Sequence, residues 1–202
     1  MGRKSKAQVR KPEILSHFYQ VIIEEGLEGA SIAKVAKRMG VNPSLLIHYF
    51  TTKEAMVEGL IDYILDTYSS HLLPDFSGAA TPRERWDDVV DVLSKLRWVQ
   101  FMNEVVFYNC YTLSLRDPKI SNRFEALYER LIQSIAQETE YAARHGVIEA
   151  ESPRMFAEQV VALIEGSNFY ENLRRDKARP VERSNMIKAV INSLCRVIEP
   201  NP

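Results

Sequence analysis

Apolar residues recur at helical spacing along most of the chain, and they do not alternate with period two over any useful length. The pattern therefore predicts an all-α protein without a sheet. The predicted helices span residues 12–25, 32–39, 43–50, 82–96, 97–115, 120–145, 153–175 and 182–198, and a further helix begins at residue 53. The clearest break is PDFSGAATP at residues 74–82, which is rich in Pro, Gly and small residues.

The stretch from Ser31 to Lys53 carries the local signals of a helix-turn-helix. Ser31 is a good N-cap, because its hydroxyl can accept from the free N–H groups of the next turn. Gly40 lies where the first helix must end in a left-handed conformation. Asn42 can cap the second helix, and Pro43 suits its first position, where the missing N–H would have no partner anyway. With the preceding helix, this stretch predicts a three-helix N-terminal head.

The second of these short helices can bury only a small part of its surface. Leu46 and Phe50 lie one turn apart and form an apolar face toward the head. The other side chains remain on its outer surface: Ser44, Leu45, Ile47, His48 and Tyr49. So many outward side chains on so short a helix indicate a recognition surface rather than a core element.

Composition places the chain among globular proteins, since 46% of its 202 residues are hydrophobic. No apolar run is long enough to span a membrane. The N-terminal MGRKSKAQVRK has no apolar segment after its charges, so we expect no secretory signal and a cytoplasmic protein. Cys110 and Cys195 are isolated among apolar residues, which favours structural burial over a metal or cofactor site.

The net charge of −1 hides an asymmetry along the chain. Residues 1–53 carry nine Lys and Arg against four Asp and Glu, whereas residues 54–202 carry 17 against 23. The basic end is therefore the expected nucleic-acid-binding end. Residues 1–11 hold five of these basic residues and no acid. They form a flexible arm that can follow a phosphate backbone or enter a minor groove. The alternative is a disordered tail that only improves solubility.

Lys53 follows a possible N-cap, Thr52, and so lies in the first turn of the next helix. A cation beside free N–H groups and the positive end of the helix dipole is unfavourable without an anion. We expect a DNA phosphate to supply that anion, and the alternative is an ordinary solvated lysine.

The last two predicted helices carry apolar stripes that could pair with their symmetry mates as a four-helix interface. The alternative is that both stripes are buried within one chain. The candidate interface residues are Phe156, Val160, Leu163, Ile164, Ser167, Ile187, Val190, Ile191 and Leu194.

Two other classes of protein compete with a DNA-binding regulator. A small all-α enzyme is one, but the sequence has no Gly-rich phosphate loop, metal-binding HExxH pair or nucleophile elbow, and its four histidines are scattered. We therefore predict no catalytic residue, no metal and no cofactor. The other is an architectural DNA-binding protein that responds to no effector.

The head resembles that of the TetR family of bacterial transcriptional regulators. The likeness lies in residues 12–60, where ASIAKVAKRMGVNPSLLIHYFTTKEAM follows the family pattern. Within the family, ASIAKVAKRMGV, HYF and VALIEG are also similar to the glycine betaine synthesis repressor group. The resemblance implies a homodimer whose heads enter successive major grooves, roughly 34–36 Å apart, on a palindromic operator in double-stranded DNA.

The resemblance also implies roles for individual residues. Pro43, Ser44 and Ile47 fall where the family touches base edges. The positions that approach the DNA backbone are Ser31, Leu45, His48, Tyr49 and Lys53. Leu45 and Ile47 are apolar here, so they suit thymine methyl groups and hint at A·T content.

The same resemblance implies a DNA-binding domain over residues 1–53 and a ligand-sensing and dimerisation domain of about six helices over residues 54–202. It also implies that the protein is a repressor, which a small-molecule effector releases from its operator. The candidate ligand-binding residues are Trp98, Phe101, Met102, Val105, Tyr108, Asn109, Thr112, Tyr128, Asn168, Phe169 and Tyr170. Their aromatic rings and the acidic charge of this region would suit a cation, but an apolar or planar ligand fits equally well.

Overall fold

The computed structural model describes residues 6–69, 73–96, 103–174 and 180–198. Within these ranges the chain forms nine helices and one pair of short strands. The helices are α1 (Lys6–Gly29), α2 (Ile32–Met39), α3 (Pro43–Tyr49), α4 (Lys53–Ser69), α5 (Pro82–Lys95), α6 (Glu104–Ser114), α7 (Pro118–Arg144), α8 (Pro153–Leu173) and α9 (Pro180–Leu194). The strands are β1 (Ile148–Glu149) and β2 (Arg196–Val197), which pair antiparallel. The all-α prediction is confirmed apart from this small pair, which the sequence pattern did not predict.

Helix α1 differs from its prediction at the start and agrees with it at the end. It begins at Lys6 rather than at Pro12, so residues 6–11 of the expected flexible arm are helical, and residues 1–5 lie outside the described part of the chain. Gly26 leaves the helical region, with φ 73° and ψ 168°. Because a residue with a Cβ atom rarely adopts that φ, the regular helix ends at the predicted glycine.

The C-terminal end of the chain also departs from the helical prediction. Helix α9 ends at Leu194, and residues 196–197 form β2 instead of another helical turn. The Ile198 amide donates to the Val147 carbonyl at 2.9 Å, which extends the strand pairing. Arg83 on α5 also donates to the Ile198 carbonyl. Residues 196–198 are therefore held by contacts with distant parts of the sequence.

The first of two compact units comprises residues 1–70 and 98–127. It contains α1–α4, α6 and the first part of α7. Helix α1 is its central element, and its fully buried side chains meet those of the helix-turn-helix and α4: Ile14, Phe18, Ile22, Leu46, Met56 and Leu60. The hydroxyl of Tyr19 accepts from the Asn103 amide at 2.6 Å, which links α1 to the start of α6.

The second unit comprises residues 71–97 and 128–202. Its core is formed by α5, α8, α9 and the later part of α7, with Trp86 against Phe156 at a ring-centroid distance of 5.8 Å. Helix α5 starts with a capping box, in which Thr81 and Glu84 each bind the other's backbone N–H. Among the described residues, the buried polar side chains all lie in this unit: Ser94, Thr139, Asn168, Arg183 and Ser184.

Candidate DNA-binding surface and ligand-binding residues

The helix-turn-helix has the caps that the sequence predicts. The Ser31 hydroxyl accepts from the Lys34 amide at 3.3 Å. Gly40 is left-handed, with φ 66° and ψ 31°, and its N–H donates back into the last turn of α2. Asn42 then caps α3, because its Oδ1 atom accepts from the Ser44 amide at 2.9 Å. The turn is therefore fixed at both helix ends by local hydrogen bonds.

Helix α3 is buried on one side only. Leu46 is fully buried and Phe50 is 5% exposed, as predicted. Pro43, Ser44, Ile47 and His48 are exposed, whereas Leu45 and Tyr49 are half-buried. The outer surface of α3 therefore presents a mixed polar and apolar set of side chains, held on a rigid base.

Ion pairs brace α2 against α1. Arg38 donates to both carboxylate oxygens of Glu24, at 2.7 and 2.8 Å. Lys34 pairs with Glu25 and donates to the Gly29 carbonyl at 2.8 Å. Two of the basic residues of α2 therefore hold the head together, while Lys37 between them is exposed.

Lys53 has an acceptor within the protein. It is half-buried at the start of α4, and its Nζ atom lies 3.2 Å from the Glu28 carbonyl. Thr52 caps this helix as predicted, since its hydroxyl accepts from the Ala55 amide at 3.1 Å. The expectation that Lys53 needs an external anion is therefore weakened, because the carbonyl already offsets part of its charge.

The candidate ligand-binding residues are divided between the two units. Trp98, Phe101 and Met102 lie outside the described residues. On α6, Tyr108 and Asn109 are half-buried, but Val105 and Thr112 are exposed. The Asn109 amide and the Thr112 hydroxyl both donate to carbonyls of their own helix, at 2.7 and 2.8 Å. The exposed positions do not have the enclosure expected of a pocket lining.

In the second unit, Tyr128 is half-buried and Asn168 is 6% exposed, but Phe169 and Tyr170 are 56% and 62% exposed. The two rings lie on the outer surface of α8, so their assignment to an enclosed pocket within one chain is wrong. Asn168 remains a strong candidate. Its Nδ2 atom is buried and has no hydrogen-bond partner in the described part of the protein.

A buried arginine that the sequence pattern does not indicate is hydrogen-bonded to the polar groups around Asn168. Arg183 on α9 is 7% exposed and donates to the Ser94 and Leu96 carbonyls at the end of α5, each at 3.2 Å. It also donates to Ser167 Oγ and to Asn168 Oδ1, both at 2.9 Å. One guanidinium therefore joins α5, α8 and α9. In the sequence it looks like an ordinary solvated helix residue, so no local signal identifies it.

Most of the predicted dimer-interface residues are buried within the single chain. Five of them are at most 2% exposed: Phe156, Val160, Ile164, Ile187 and Ile191. These side chains pack in the core of the second unit and cannot reach a partner, so their assignment to an interface is wrong. Leu163, Ser167, Val190 and Leu194 are half-buried. The alternative reading of the stripes, as internal core, is the one that the structure supports.

The two cysteines are buried and free, as predicted. Burial raises the pKa of the Cys110 thiol to about 12, so it stays protonated at neutral pH. In the described ranges no group of three or more His, Cys, Asp or Glu side chains could hold a metal ion. No helix there is both long and apolar enough to cross a membrane.

These features define a helix-turn-helix regulator with a helical C-terminal region. Two family models match the chain: bacterial regulatory proteins of the tetR family over residues 6–60, and the tetracyclin repressor-like C-terminal domain over residues 83–197. The chain belongs to the TetR family, whose members are DNA-binding transcriptional regulators. The resemblance inferred from the head is confirmed.

Several characterised proteins are similar to the chain along most of its length, and two of them are described here. One is the nucleoid occlusion factor SlmA of Vibrio campbellii, 27% identical over 176 residues that cover 81% of this chain and 84% of that protein. The other is the HTH-type transcriptional regulator BetI of Rhizobium meliloti, 26% identical over 176 residues that cover 86% and 83%.

Solved structures of low sequence identity share the fold. A TetR-family regulator from Cytophaga hutchinsonii superposes with a TM-score of 0.78 at 14% identity, covering 98% of this chain and all of that one. A transcriptional regulator from Saccharomonospora viridis in complex with choline superposes with a TM-score of 0.72 at 19% identity, covering 96% of this chain and all of that one. Both likenesses concern the fold alone.

Proposed function

We propose that the protein is a repressor that binds a palindromic operator as a homodimer and is released from it by a small-molecule effector. The observation that supports DNA binding is the one-sided burial of α3. This helix is capped at its start, packs against the core through Leu46 and Phe50, and exposes its other side. A helix of this kind fits the major groove, with its first residues against base edges.

The hydroxyl group of Ser44 has a fixed direction of hydrogen bonding. Its Oγ atom lies 2.8 Å from Asn42 Oδ1, which can only accept, so the hydroxyl proton is directed to Asn42. The hydroxyl group of Ser44 therefore has no proton left to donate to DNA, and its oxygen can only accept a hydrogen bond there. The amino groups of cytosine and adenine are the donors in the major groove. We infer that Ser44 faces one of these two bases, while Ile47, 48% exposed, contacts a thymine methyl group.

The effector site is proposed for the second unit, beside Asn168. The Asn168 Nδ2 donor is buried, and it has no hydrogen-bond partner among the described residues. A buried donor without an acceptor is costly, so such groups favour a ligand or an ordered water that carries an acceptor oxygen. A hydroxylated or carboxylated metabolite would meet this need, and choline, bound by the neighbour from Saccharomonospora viridis, is one compound to test.

The test is binding of the full chain to DNA fragments from its own upstream region. Ser44→Ala should weaken specific binding by about 1–3 kcal/mol and relax the preference at one base pair of each half-site. Ile47→Ala should weaken binding at a neighbouring pair. Gln137→Ala, exposed on α7 in the second unit, is the control and should bind as the parent does. Unchanged specificity in both α3 variants would contradict the proposed role of this helix.

A second candidate function is DNA binding that responds to no effector. It is favoured by the likeness to a protein named as a nucleoid occlusion factor. A metabolite panel separates the two, because a repressor must lose operator affinity with at least one compound. Asn168→Ala should abolish that response while leaving DNA binding of the free protein unchanged. The relatives from Vibrio campbellii and Rhizobium meliloti are named as a nucleoid occlusion factor and as a transcriptional regulator, which supports the proposal that the protein is not an enzyme.

A further inference from the structure

A pocket in the first unit lies apart from the residues proposed for the effector. It has a volume of about 310 Å³ and is formed by three segments: the turn after the α1 kink, the first two turns of α4, and the α6–α7 connection. Its apolar wall consists of Leu27, Val57, Leu113 and Ile120. A volume near 300 Å³ is at the lower end of the range for small-molecule sites.

The charged groups around this pocket are mostly acidic. Four carboxylates line it, those of Glu28, Glu54, Glu58 and Asp117, together with two cations, Lys53 and Arg116. None of the four carboxylates forms an ion pair with any residue in the described part of the chain. Lys53 is directed to the Glu28 carbonyl at 3.2 Å. The lining therefore carries a net charge of −2 beside an apolar wall.

We propose that this pocket binds a small amphipathic cation, with an aromatic or aliphatic body against Leu27, Val57, Leu113 and Ile120 and an ammonium group among the carboxylates. An anion of the same shape would meet net repulsion, and a fully polar cation would leave the apolar wall exposed to water. The ligand would touch both the start of α4 and the α6–α7 connection. This inference does not rest on the proposed repressor function, since it concerns binding to the free protein.

Three probes test the proposal: phenethylammonium, 2-phenylethanol and 3-phenylpropanoate, which share a phenyl ring and carry positive, neutral and negative head groups. Binding to the full chain is followed by the methyl resonances of Val57, Leu113 and Ile120 in ¹H–¹³C spectra. The cation should shift these methyl groups and bind about fivefold or more tightly than the anion. No shift at these methyl groups, or equal affinity for the cation and the anion, would overturn the proposal.

Two variants test different properties of the pocket: Glu58→Gln tests its charge, and Leu113→Trp tests its free space. Glu58→Gln removes one half-buried carboxylate and should weaken phenethylammonium about two- to fivefold without changing the affinity for 2-phenylethanol. Glu125→Gln, an exposed acid of α7 outside the pocket, is the matched control and should change neither.

Leu113→Trp extends a half-buried side chain into the pocket and should abolish binding of both ligands at these methyl groups. If Leu113→Trp does not fold, Glu58→Gln still decides, because an unchanged ratio of cation to alcohol affinity in that variant would overturn the proposal.

Discussion

Single residues fix both the turn of the head and the polar centre of the second unit. Gly40 supplies the left-handed conformation that ends α2, and Arg183 supplies donors to carbonyls at the end of α5. The first role is visible in the sequence, because a glycine between two short apolar patterns is a strong local signal. The second role is not visible, because the partners of Arg183 at Ser94 and Leu96 are distant in the chain.

Gly40→Ala should destabilise the protein by about 1 kcal/mol, because alanine is strained at φ 66° although the space for its Cβ atom is open. Gly78→Ala is the control. Gly78 has equally open space and no positive φ, so its substitution should leave stability within about 0.5 kcal/mol of the parent. Urea unfolding at fixed protein concentration measures both. Equal effects of the two substitutions would contradict the argument from φ.

Arg183→Met should cost about 3–5 kcal/mol of unfolding free energy, because it leaves several buried acceptors without a donor. The matched control is Arg196→Met. Arg196 has a side chain that is 80% exposed and pairs with Glu149 at 3.3 Å, so its loss should change stability by no more than about 0.5 kcal/mol. The same urea titration reports both. A small effect at Arg183 would mean that the carbonyls find other donors.

At the scale of helices, local pattern predicts the interiors well and some of the ends poorly. The predicted caps Ser31, Asn42 and Thr52 are present in the structure, because each binds a backbone N–H within three residues of itself. The prediction for α9 ran past Leu194 because Cys195 and Ile198 continue the helical spacing. The actual end is set by β1, whose pairing with β2 joins residues 148 and 197 and cannot appear in a local pattern.

An ion pair between α7 and α8 should make the second unit sensitive to acid. Two hydrogen bonds from Arg154, at 2.7 and 2.8 Å, and one from Gln133 lower the pKa of Glu129 from 4.5 to about 2. Because the folded-state pKa is depressed, the stabilisation is complete above pH 4.5 and is lost as the pH falls toward 2.

Thermal unfolding at low salt should therefore show a smaller loss of stability between these pH values in Glu129→Gln than in the parent. Glu151→Gln, an exposed acid with no ion pair in the described part of the chain, should follow the parent curve. Parallel curves for all three proteins would show that the Glu129–Arg154 contact contributes nothing measurable.

At the scale of the whole molecule, the chain forms two compact units, each built from segments that are separated in the sequence. Helical spacing gives the class of fold and the position of the head. It does not show that residues 98–127 belong with the head, because that depends on contacts such as the one between Tyr19 and Asn103. For the same reason it could not tell which stripe of α8 is core and which is exposed.

The exposed stripe of α8 now indicates where a homodimer would form. Met155, Gln159, Ala162 and Gly166 are exposed and follow the alternating spacing of four and three that suits a helix-pair seam. On α9, Met186 and Ala189 are also exposed. The small residues at 162, 166 and 189 would allow a partner helix to approach closely. Ile191 is fully buried, so Ile191→Glu would disrupt the core of a single chain and does not test the interface.

Gly166→Arg should therefore convert the dimer to a monomer of about 23 kDa in sedimentation experiments. No atom outside the local backbone lies within 4 Å of a Cβ placed at Gly166, so the fold of the single chain can accept the new side chain. Gly78→Arg introduces the same charge at an equally open position outside α8 and should remain dimeric. Loss of the dimer should also reduce operator affinity, because two linked heads bind two half-sites far more tightly than one head binds either. A Gly166→Arg protein that stays dimeric with a native circular dichroism spectrum would move the interface away from α8.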